Sequence, residues 1–245
     1  MRNGKHAVIF STHASAALLM VLAAAAALPA QDDQSSTNTV TFTNLVNFDG
    51  TNGSYPYNWP LVQGIDGNLY GVTNAGGANG NGTLFKMTPQ GSLSVLYNFC
   101  AQPNCTDGAN PNSLALGRDG NLYGTTTSGG ANVGGPCGGT FFKVIPTGVT
   151  TLYSFSANSE PSFPNGITLG ADGNFYGTAD CNAGSVFKIT PEGTLTTLWF
   201  FSGGADGGYP LDPVIQGMDG DLYGTAQLGG ASGGAQSLRS RRMAR

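Results

Sequence analysis

The string Asp-Gly-Asn-Leu-Tyr-Gly recurs along the chain at a nearly constant interval. It stands at 66–71 and 119–124, and it returns with one changed residue at 172–177 and at 219–224. The intervals are 53, 53 and 47 residues. A period of this length indicates an array of one supersecondary unit rather than a single core built from unique parts.

Each repeat unit contains the signals of four short strands. We expect a type I′ turn at residues 66–67, because Asp-Gly between two extended runs is a preferred hairpin centre. A second hairpin is predicted at residues 89–91, where proline sets the first turn angle and glycine takes a left-handed conformation. Gly71 leaves room for a close neighbour inside the second strand.

Composition agrees with an all-β fold, since Gly accounts for 39 residues and Pro for 13 of 245, and both weaken helices. A four-stranded sheet of about 50 residues, covered on both faces and repeated, is typical of a β-propeller blade. The prediction is therefore a propeller-like array of three full blades and a partial fourth. A β-solenoid is the alternative.

The two ends of the repeat domain, predicted at 39–234, are out of phase. Residues 39–48 match only the fourth strand of a unit, so we expect them to complete the last blade and remove its exposed edge. Residues 235–245 depart from the pattern as a basic tail, which leaves two strands in the fourth unit. We interpret this tail as a truncated or frame-shifted reading frame, with a natural end as the alternative.

The first thirty residues have the pattern of a signal peptide. Arg2 and Lys5 precede an apolar run at 16–28, which is shorter than the roughly 20 residues that a membrane span needs. Cleavage is expected after Ala27 or Ala30, followed by a polar linker at 31–38. The prediction is an exported protein, extracellular, at the cell surface or periplasmic, without a membrane span after cleavage. An uncleaved anchor is the alternative.

Charge and histidine content exclude several functions. Residues 31–238 hold four basic and 14 acidic side chains, a balance of −10, so nucleic acid is not an expected partner. Both histidines, His6 and His13, lie in the predicted signal peptide. The mature chain therefore has no base for Ser-His-Asp or Cys-His catalysis.

The combined pattern resembles a known repeat family. Gly-Ala-Asp-Gly-Asn-Phe-Tyr-Gly at 170–177, with Gly-Ser-Val-Phe-Lys-Ile-Thr-Pro-Glu-Gly at 184–193, is similar to the GloVer (Gloeo/Verruco) tandem repeat of exported bacterial proteins. The resemblance covers 39–234 and implies extracellular or surface display, propeller-like geometry and no established enzymatic activity. The C-terminal sorting or anchoring segment common in that family is not visible, which agrees with a missing C-terminus.

Several recurring side chains are candidates for chemistry. The aspartates of the repeated string are calcium ligands or, as we favour, turn carboxylates that bond to backbone amides. The lysines of the third strand fit a strand position with an apolar stem. The tyrosines of the string fit packing between blades better than stacking on sugars. The residues are Asp66, Asp119, Asp172 and Asp219; Lys86, Lys143 and Lys188; Tyr70, Tyr123, Tyr176 and Tyr223.

Acids also occur in the loops between units. Asp49, Asp107 and Asp206 lie in Asp-Gly strings there, and the third unit has Glu160 instead. These three aspartates form a possible ligand loop for calcium or for sugar hydroxyls, with ordinary turns as the alternative. No other cofactor is predicted.

Four cysteines indicate an oxidising compartment. Cys100 and Cys105 lie in one loop, and we predict a structural disulfide between them. Cys137 and Cys181 fall in equivalent loops of adjacent units. The sequence leaves undecided whether they form a second disulfide. Zinc is not expected, because Cys100 and Cys105 have no second Cys-x₂₋₄-Cys pair to complete four ligands and no histidine remains in the predicted mature chain.

These features predict an exported, non-enzymatic repeat protein that binds or scaffolds a glycan or a surface or matrix protein. No catalytic or metal-binding residue is assigned. The alternatives are an enzyme that acts on polysaccharide through loop carboxylates, and a truncated gene fragment without function.

Overall fold

The structure is a computed structural model, and it describes residues 41–56, 60–131, 137–156, 161–229 and 234–240. The predicted signal peptide and linker lie outside these residues. All strands belong to one compact unit, Thr43–Arg245. Within the described ranges there is no helix long and apolar enough to cross a membrane.

The described strands form four antiparallel sheets, three of four strands and one of three. In chain order they are β1 (Val62–Gln63), β2 (Leu69–Thr73), β3 (Thr83–Met87) and β4 (Leu93–Asn98) in sheet 1; β5 (Ala109–Leu116), β6 (Leu122–Ser128), β7 (Thr140–Ile145) and β8 (Gly148–Ser154) in sheet 2; β9 (Pro164–Leu169), β10 (Phe175–Ala179), β11 (Ser185–Ile189) and β12 (Leu195–Phe200) in sheet 3; β13 (Ile215–Gln216), β14 (Leu222–Ala226) and β15 (Gln236–Arg239) in sheet 4.

Each sheet is a meander in which the strands follow chain order, so successive turns alternate between two ends. The hairpins that join first to second and third to fourth strands lie at one end, here named the hairpin face. The loops that join second to third strands, and the connections between sheets, lie at the other end, the loop face. The prediction of an all-β, propeller-like array of blades is confirmed.

Sheet 4 has three strands, whereas the sequence pattern predicted two. β15 lies within the stretch interpreted as an off-pattern tail, and it pairs with β14 in the register of the other third strands. Leu238 stands opposite Gly224, as Phe85 stands opposite Gly71. The strand forms because a leucine and an arginine can replace the repeated phenylalanine and lysine.

The third-strand phenylalanine lies directly against a glycine of the second strand. A Cβ atom at Gly71 would stand 2.4 Å from the Phe85 ring, and one at Gly124 would stand 2.4 Å from Phe142. Gly177 and Phe187 repeat this contact at 2.5 Å. Only glycine fits such a position, which explains the last residue of the repeated string.

The same phenylalanine rings carry the packing between sheets. Phe99 and Phe155 directly follow the outer strands β4 and β8, and each packs on the third-strand phenylalanine of the next sheet; Phe48 packs on that of sheet 1 in the same way. The ring centroids are 5.2 Å apart for Phe48–Phe85, 5.2 Å for Phe99–Phe142 and 5.5 Å for Phe155–Phe187. Five of these six rings are 2% exposed or less, and burial of each stabilises the fold by roughly 2–3 kcal/mol.

The innermost strands are joined by polar contacts. The Asn112 side chain donates to the Pro164 carbonyl of the next sheet at 2.7 Å and accepts from the Thr125 hydroxyl at 2.7 Å. Asn165 donates in the same way to the Pro210 carbonyl. Buried asparagines therefore connect sheet 2 to sheet 3 and sheet 3 to sheet 4.

Two disulfides lie on the loop face. Cys100 is bonded to Cys105 within the connection from sheet 1 to sheet 2. Cys137 is bonded to Cys181, 44 residues further along the chain, and this bond joins a loop of sheet 2 to a loop of sheet 3. The second bridge, left open by the sequence, thus connects neighbouring blades.

Replacement of Asn112 by alanine tests the buried contact between inner strands. Asn112→Ala leaves the Pro164 carbonyl and the Thr125 hydroxyl without this partner, and we expect a loss of about 1–3 kcal/mol in the free energy of unfolding. Urea denaturation measures the loss. Asn44→Ala, at an exposed position whose side-chain amide donates to the Asn47 side chain, is the control and should change stability little. Equal losses of unfolding free energy in both variants would contradict a stabilising role for the Asn112 hydrogen bonds.

Candidate functional site

The repeated aspartate organises the tip of its own hairpin. The Asp66 carboxylate accepts hydrogen bonds from the backbone N–H of Asn68 at 3.1 Å, the Asn68 side-chain amide at 2.7 Å and the Tyr70 hydroxyl at 2.9 Å. The same three bonds recur at Asp119 and Asp172. The string Asp-x-Asn-x-Tyr is therefore a self-contained network, and the tyrosine bond was missed by the sequence analysis.

The expected type I′ turn is wrong. Gly64 N–H donates to the Asn68 carbonyl at 2.9 Å and Gly67 N–H donates to the Gly64 carbonyl at 3.0 Å, so the loop has three residues. Only Gly67 takes a positive φ, of 78°. This is the pattern of a type I turn followed by a left-handed residue, and the carboxylate bonds fix Asp66 in it. The predicted turn at 89–91 is confirmed, with Gly91 at a φ of 93°.

In sheets 2 and 4 a third-strand cation joins the network. Lys143 lies 3.2 Å from the Asp119 carboxylate and 5.3 Å from the centre of the Tyr123 ring. Arg239 occupies the corresponding position in β15, 3.1 Å from Asp219, and also lies 2.9 Å from Asp221. These contacts favour a structural role for Lys143, Arg239 and the aspartates that they meet.

The loop acids lie on the loop face and bond locally. Asp49 accepts from the N–H and hydroxyl of Thr51 at 2.9 and 2.7 Å and from Asn52 N–H at 3.1 Å. Asp107 is 6% exposed and accepts from the Tyr97 hydroxyl at 2.7 Å and from two backbone amides. Asp206 accepts from the N–H and hydroxyl of Ser202. The described ranges contain no group of three or more His, Cys, Asp or Glu side chains placed to hold a metal ion.

Alignment of these loops by backbone conformation differs from their alignment by Asp-Gly strings. The residue before the loop proline has a positive φ in every unit: Tyr55, Asn110, Phe163 and Tyr209. Asp107 and Asp206 lie three residues before this residue in their units. In the first unit that position is held by Asn52, not by Asp49.

An aromatic donor accompanies the acid at this loop position. Tyr97 bonds to Asp107 in one unit. In the fourth unit the pKa of Asp206 is lowered by hydrogen bonds from Ser202 first and also from Trp199, which holds the position of Tyr97. In the first unit Val46 holds that position, and the acid is replaced by Asn52. The acid is therefore present where a donor is available for it, which favours structural roles for Asp107 and Asp206.

A groove opens on the hairpin face between sheets 1 and 2. Its volume is about 390 Å³, within the range of small-ligand sites, and it is open to solvent. Its polar lining comes from Asp66, Tyr70, Lys86 and Asn121. Its apolar lining comes from Ile65, Leu96, Val144, Ile145 and Pro146.

A single residue distinguishes this junction from the next one. Ile65 precedes the repeated aspartate in sheet 1, and Arg118 holds the same place in sheet 2. The Arg118 guanidinium reaches across to the Ala171 carbonyl of sheet 3 and lies beside Gly173. Ile65 lies beside Gly120, where an added Cβ atom would stand 3.4 Å from the Ile65 Cδ1 atom, and the groove at Tyr70 and Lys86 is open.

The polar part of the groove presents donors and acceptors together. The pKa of Asp66 is lowered chiefly by the hydrogen bond from Asn68, with a smaller effect of Lys86, so it carries a negative charge at neutral pH. Burial first, and then the bond to Asp66, raises the pKa of Tyr70, which keeps its hydroxyl protonated. Lys86 stands opposite Tyr70 in the sheet. A carboxylate, a hydroxyl and an ammonium beside an apolar wall suit a ligand with hydroxyl groups and an apolar face.

The predicted site residues are divided between the two faces. Asp66, Tyr70 and Lys86 come together in the groove, whereas Asp49, Asp107 and Asp206 lie on the opposite face. The sequence analysis missed the apolar wall. The available signal was the variable residue before the repeated aspartate, which is Ile65, Arg118, Ala171 and Met218 in successive units.

The family profile described as the Gloeobacter/Verrucomicrobia repeat matches residues 101–238, more than half of the chain. This confirms the resemblance drawn from the repeated strings. No curated protein matches the chain.

Solved structures show similarity of fold. The extracellular domain of a protein assigned as a one-component system in B. thetaiotaomicron superposes with a TM-score of 0.50 at 13% identity, over 80% of this chain and 23% of that one. A catalytically inactive virginiamycin B lyase from Staphylococcus aureus, with quinupristin, gives 0.46 at 18% identity, over 73% of this chain and 54% of that one. The chain thus spans about a quarter to about half of the length of these proteins. The first likeness shows the fold alone.

The hairpin networks predict a dependence of stability on acid. The pKa values of Asp66, Asp119, Asp172 and Asp219 are lowered; at Asp119 burial opposes this, and the bonds from Asn121, Tyr123 and Lys143 outweigh it. A lowered folded-state pKa contributes stability above the unfolded value near 4, which is lost as pH falls through the folded value. Asp119→Asn should therefore reduce stability at pH 7 and weaken its decline below about pH 5.

Urea denaturation between about pH 7 and about pH 3 measures this dependence. Asp212→Asn, at an exposed position, is the matched control and should leave the decline unchanged. If the free energy of unfolding of Asp119→Asn declined with falling pH as steeply as that of the unmodified protein, the network would not be the source of acid sensitivity.

Proposed function

The chain belongs to the Gloeobacter/Verrucomicrobia repeat family, and on this premise we propose that it is an exported, non-enzymatic binding module that holds a glycan in the groove between sheets 1 and 2. A surface or matrix protein is the alternative ligand. The observation that carries the proposal is the open groove lined by Asp66, Tyr70 and Lys86 on one side and an apolar wall on the other.

The chemistry of the groove favours a sugar over other small ligands. Sugar rings present hydroxyl groups at their edge and C–H groups on their faces, so they need mixed donors and acceptors next to an apolar surface. Asp66 accepts, Lys86 donates, and the Tyr70 hydroxyl accepts, because its own proton is donated to Asp66. Leu96, Val144 and Pro146 supply apolar surface at the same groove.

Binding without cleavage is the favoured activity. Glycoside hydrolysis generally uses two carboxyl groups about 5–10 Å apart, and Asp66 is the one acid among the residues that line the groove. Nucleophilic catalysis with a histidine base has no support, since the described ranges contain no histidine. The acidic balance of the body argues against nucleic acid as the ligand.

Export is supported by the basic start and apolar run within 1–30. The two disulfides also suit an oxidising compartment outside the cytoplasm. The cell surface, the extracellular space and the periplasm all agree with these features. Calcium at the loop acids is not required by the proposed binding mode.

Filling the groove tests the binding proposal. Ile65→Arg copies the residue that spans the next junction, and we expect it to lower affinity for a bound polysaccharide by about tenfold or more, because the side chain occupies the ligand's space. Isothermal titration against a panel of soluble plant, algal and bacterial polysaccharides measures affinity. Ala171→Arg, at the equivalent exposed position of sheet 3, adds the same charge elsewhere and should bind as the unmodified protein does.

Two outcomes would contradict this proposal. Equal affinity of Ile65→Arg and Ala171→Arg would exclude the groove as the binding site. Release of reducing ends from a bound polysaccharide would show that the protein is an enzyme rather than a binding module.

Titration in the presence of EDTA should leave the affinity for the polysaccharide unchanged. Loss of binding under EDTA would assign calcium to the site.

Export predicts a processed N-terminus. Protein recovered from the periplasm of an expressing bacterium should begin at Leu28 or Gln31, with its four cysteines in two disulfides. N-terminal sequencing and intact mass measure both. Recovery of the chain with residues 1–27 still attached would contradict cleavage.

A further inference from the structure

The third-strand lysines of sheets 1 and 2 hold the same position in their sheets but have different partners. Lys86 stands opposite Tyr70, and Lys143 stands opposite Tyr123. The Lys143 ammonium lies 3.2 Å from the Asp119 carboxylate. Within the described ranges the Lys86 ammonium makes neither an ion pair nor a hydrogen bond. The donors of Lys143 are therefore used inside the fold, whereas those of Lys86 are available at the groove.

The other polar side chains of the groove donate to the protein itself. The Tyr70 hydroxyl donates to Asp66 at 2.9 Å, and the Asn121 side-chain amide donates to Asp119 at 2.7 Å. To a ligand they offer chiefly their oxygen atoms as acceptors. Lys86 carries three N–H groups on one ammonium, and it is the one cation among the residues that line the groove.

The Asp66 carboxylate does not depend on a ligand for its partners. It accepts hydrogen bonds from the N–H and side-chain amide of Asn68 and from the Tyr70 hydroxyl. The bond from the Asn68 side chain is the largest cause of its lowered pKa, so the hairpin itself stabilises this negative charge. The charge at the groove that still lacks a bonded partner is the Lys86 ammonium.

The surrounding charge also favours an anion. The charged residues of sheets 1 and 2, within 62–98 and 109–154, are Lys86, Arg118, Lys143, Asp66 and Asp119. Their balance is +1, whereas residues 31–238 as a whole have a balance of −10. Arg118 is turned to sheet 3 and Lys143 is bonded to Asp119, which leaves Lys86 to meet a ligand.

We propose that the groove selects an acidic glycan and that Lys86 is the specificity-determining residue, with its ammonium paired to a carboxylate or sulfate group of the sugar. This inference rests on the proposed function and adds the charge of the ligand to it. Hydrogen bonds between charged groups are about twice as strong as neutral ones, and a lysine ammonium acts as a point charge that suits either anion. The hydroxyl groups of the sugar then donate to the oxygens of Tyr70 and Asn121, beside the apolar wall.

Polysaccharides that differ only in charge test this preference. Polygalacturonate and its carboxyl-reduced form are one pair, and dextran sulfate and dextran are the other. We expect isothermal titration to show about tenfold or greater affinity for the acidic member of a pair, because only that member forms a charge-assisted bond with Lys86. Preference in the first pair alone identifies a carboxylate ligand, and preference in the second pair alone identifies a sulfate ligand. Raising NaCl from about 0.05 M to about 0.5 M should reduce the preference, because salt screens exposed charges.

Substitution assigns the preference to one residue. Lys86→Met should lower the affinity for the acidic polysaccharide to that for its neutral counterpart, and Lys86→Arg should retain the preference because it keeps the charge. Lys188→Met is the matched control, since Lys188 stands opposite Tyr176 at the same position of sheet 3 and does not line the groove. This control should keep the preference. Circular dichroism should be the same for all three variants and the unmodified protein.

The outcomes separate this inference from the proposed function. Equal affinities within both pairs would overturn the inference, as would a preference that survives Lys86→Met or that Lys188→Met removes equally. Binding of neutral and acidic polysaccharide alike, lost in Ile65→Arg, would retain the groove as a glycan site and reject its selection by charge. Failure of every polysaccharide to bind would reject both.

Discussion

The contact of a phenylalanine ring with a glycine is the constraint on which the remaining structure depends. Phe85, Phe142 and Phe187 project from third strands onto glycines of second strands at distances that no side chain could share. The same rings meet Phe48, Phe99 and Phe155, which precede the connections into the sheets of those rings. A single side chain thus holds strands together within a sheet and holds one sheet to the next, which is why the unit stacks as an array.

The recurring polar residues serve this scaffold, and the difference between copies supplies the candidate site. Asp119, Tyr123 and Lys143 bond to one another at the junction that Arg118 spans. At the preceding junction Ile65 stands in place of the arginine, and the equivalent polar residues line an open groove. Function is proposed where the repeat is broken, because bonds that repeat in every unit are already used for folding.

Much of the architecture was predictable from the sequence, and the misses have definite causes. Strand order and the second hairpin followed from turn residues and alternation. The first hairpin was assigned the wrong loop length, since an Asp-Gly pair does not reveal that the carboxylate will bond to Asn68 and Tyr70. β15 was missed because Leu238 and Arg239 keep only the size and the charge of the repeated Phe-Lys pair. Asp49 was grouped with Asp107 by its string, although backbone conformation assigns that position to Asn52.

The sequence by itself determined the repeating unit, the all-β class and the family, because a period of about 50 residues with glycine, proline and aromatic residues at constant offsets permits few other folds. Only the tertiary structure decided which junction is open and which cysteines join blades. These features depend on residues far apart in the chain, such as Ile65 against Gly120 and Cys137 against Cys181. Their proximity is created by the stacking of the sheets, and no local pattern records it.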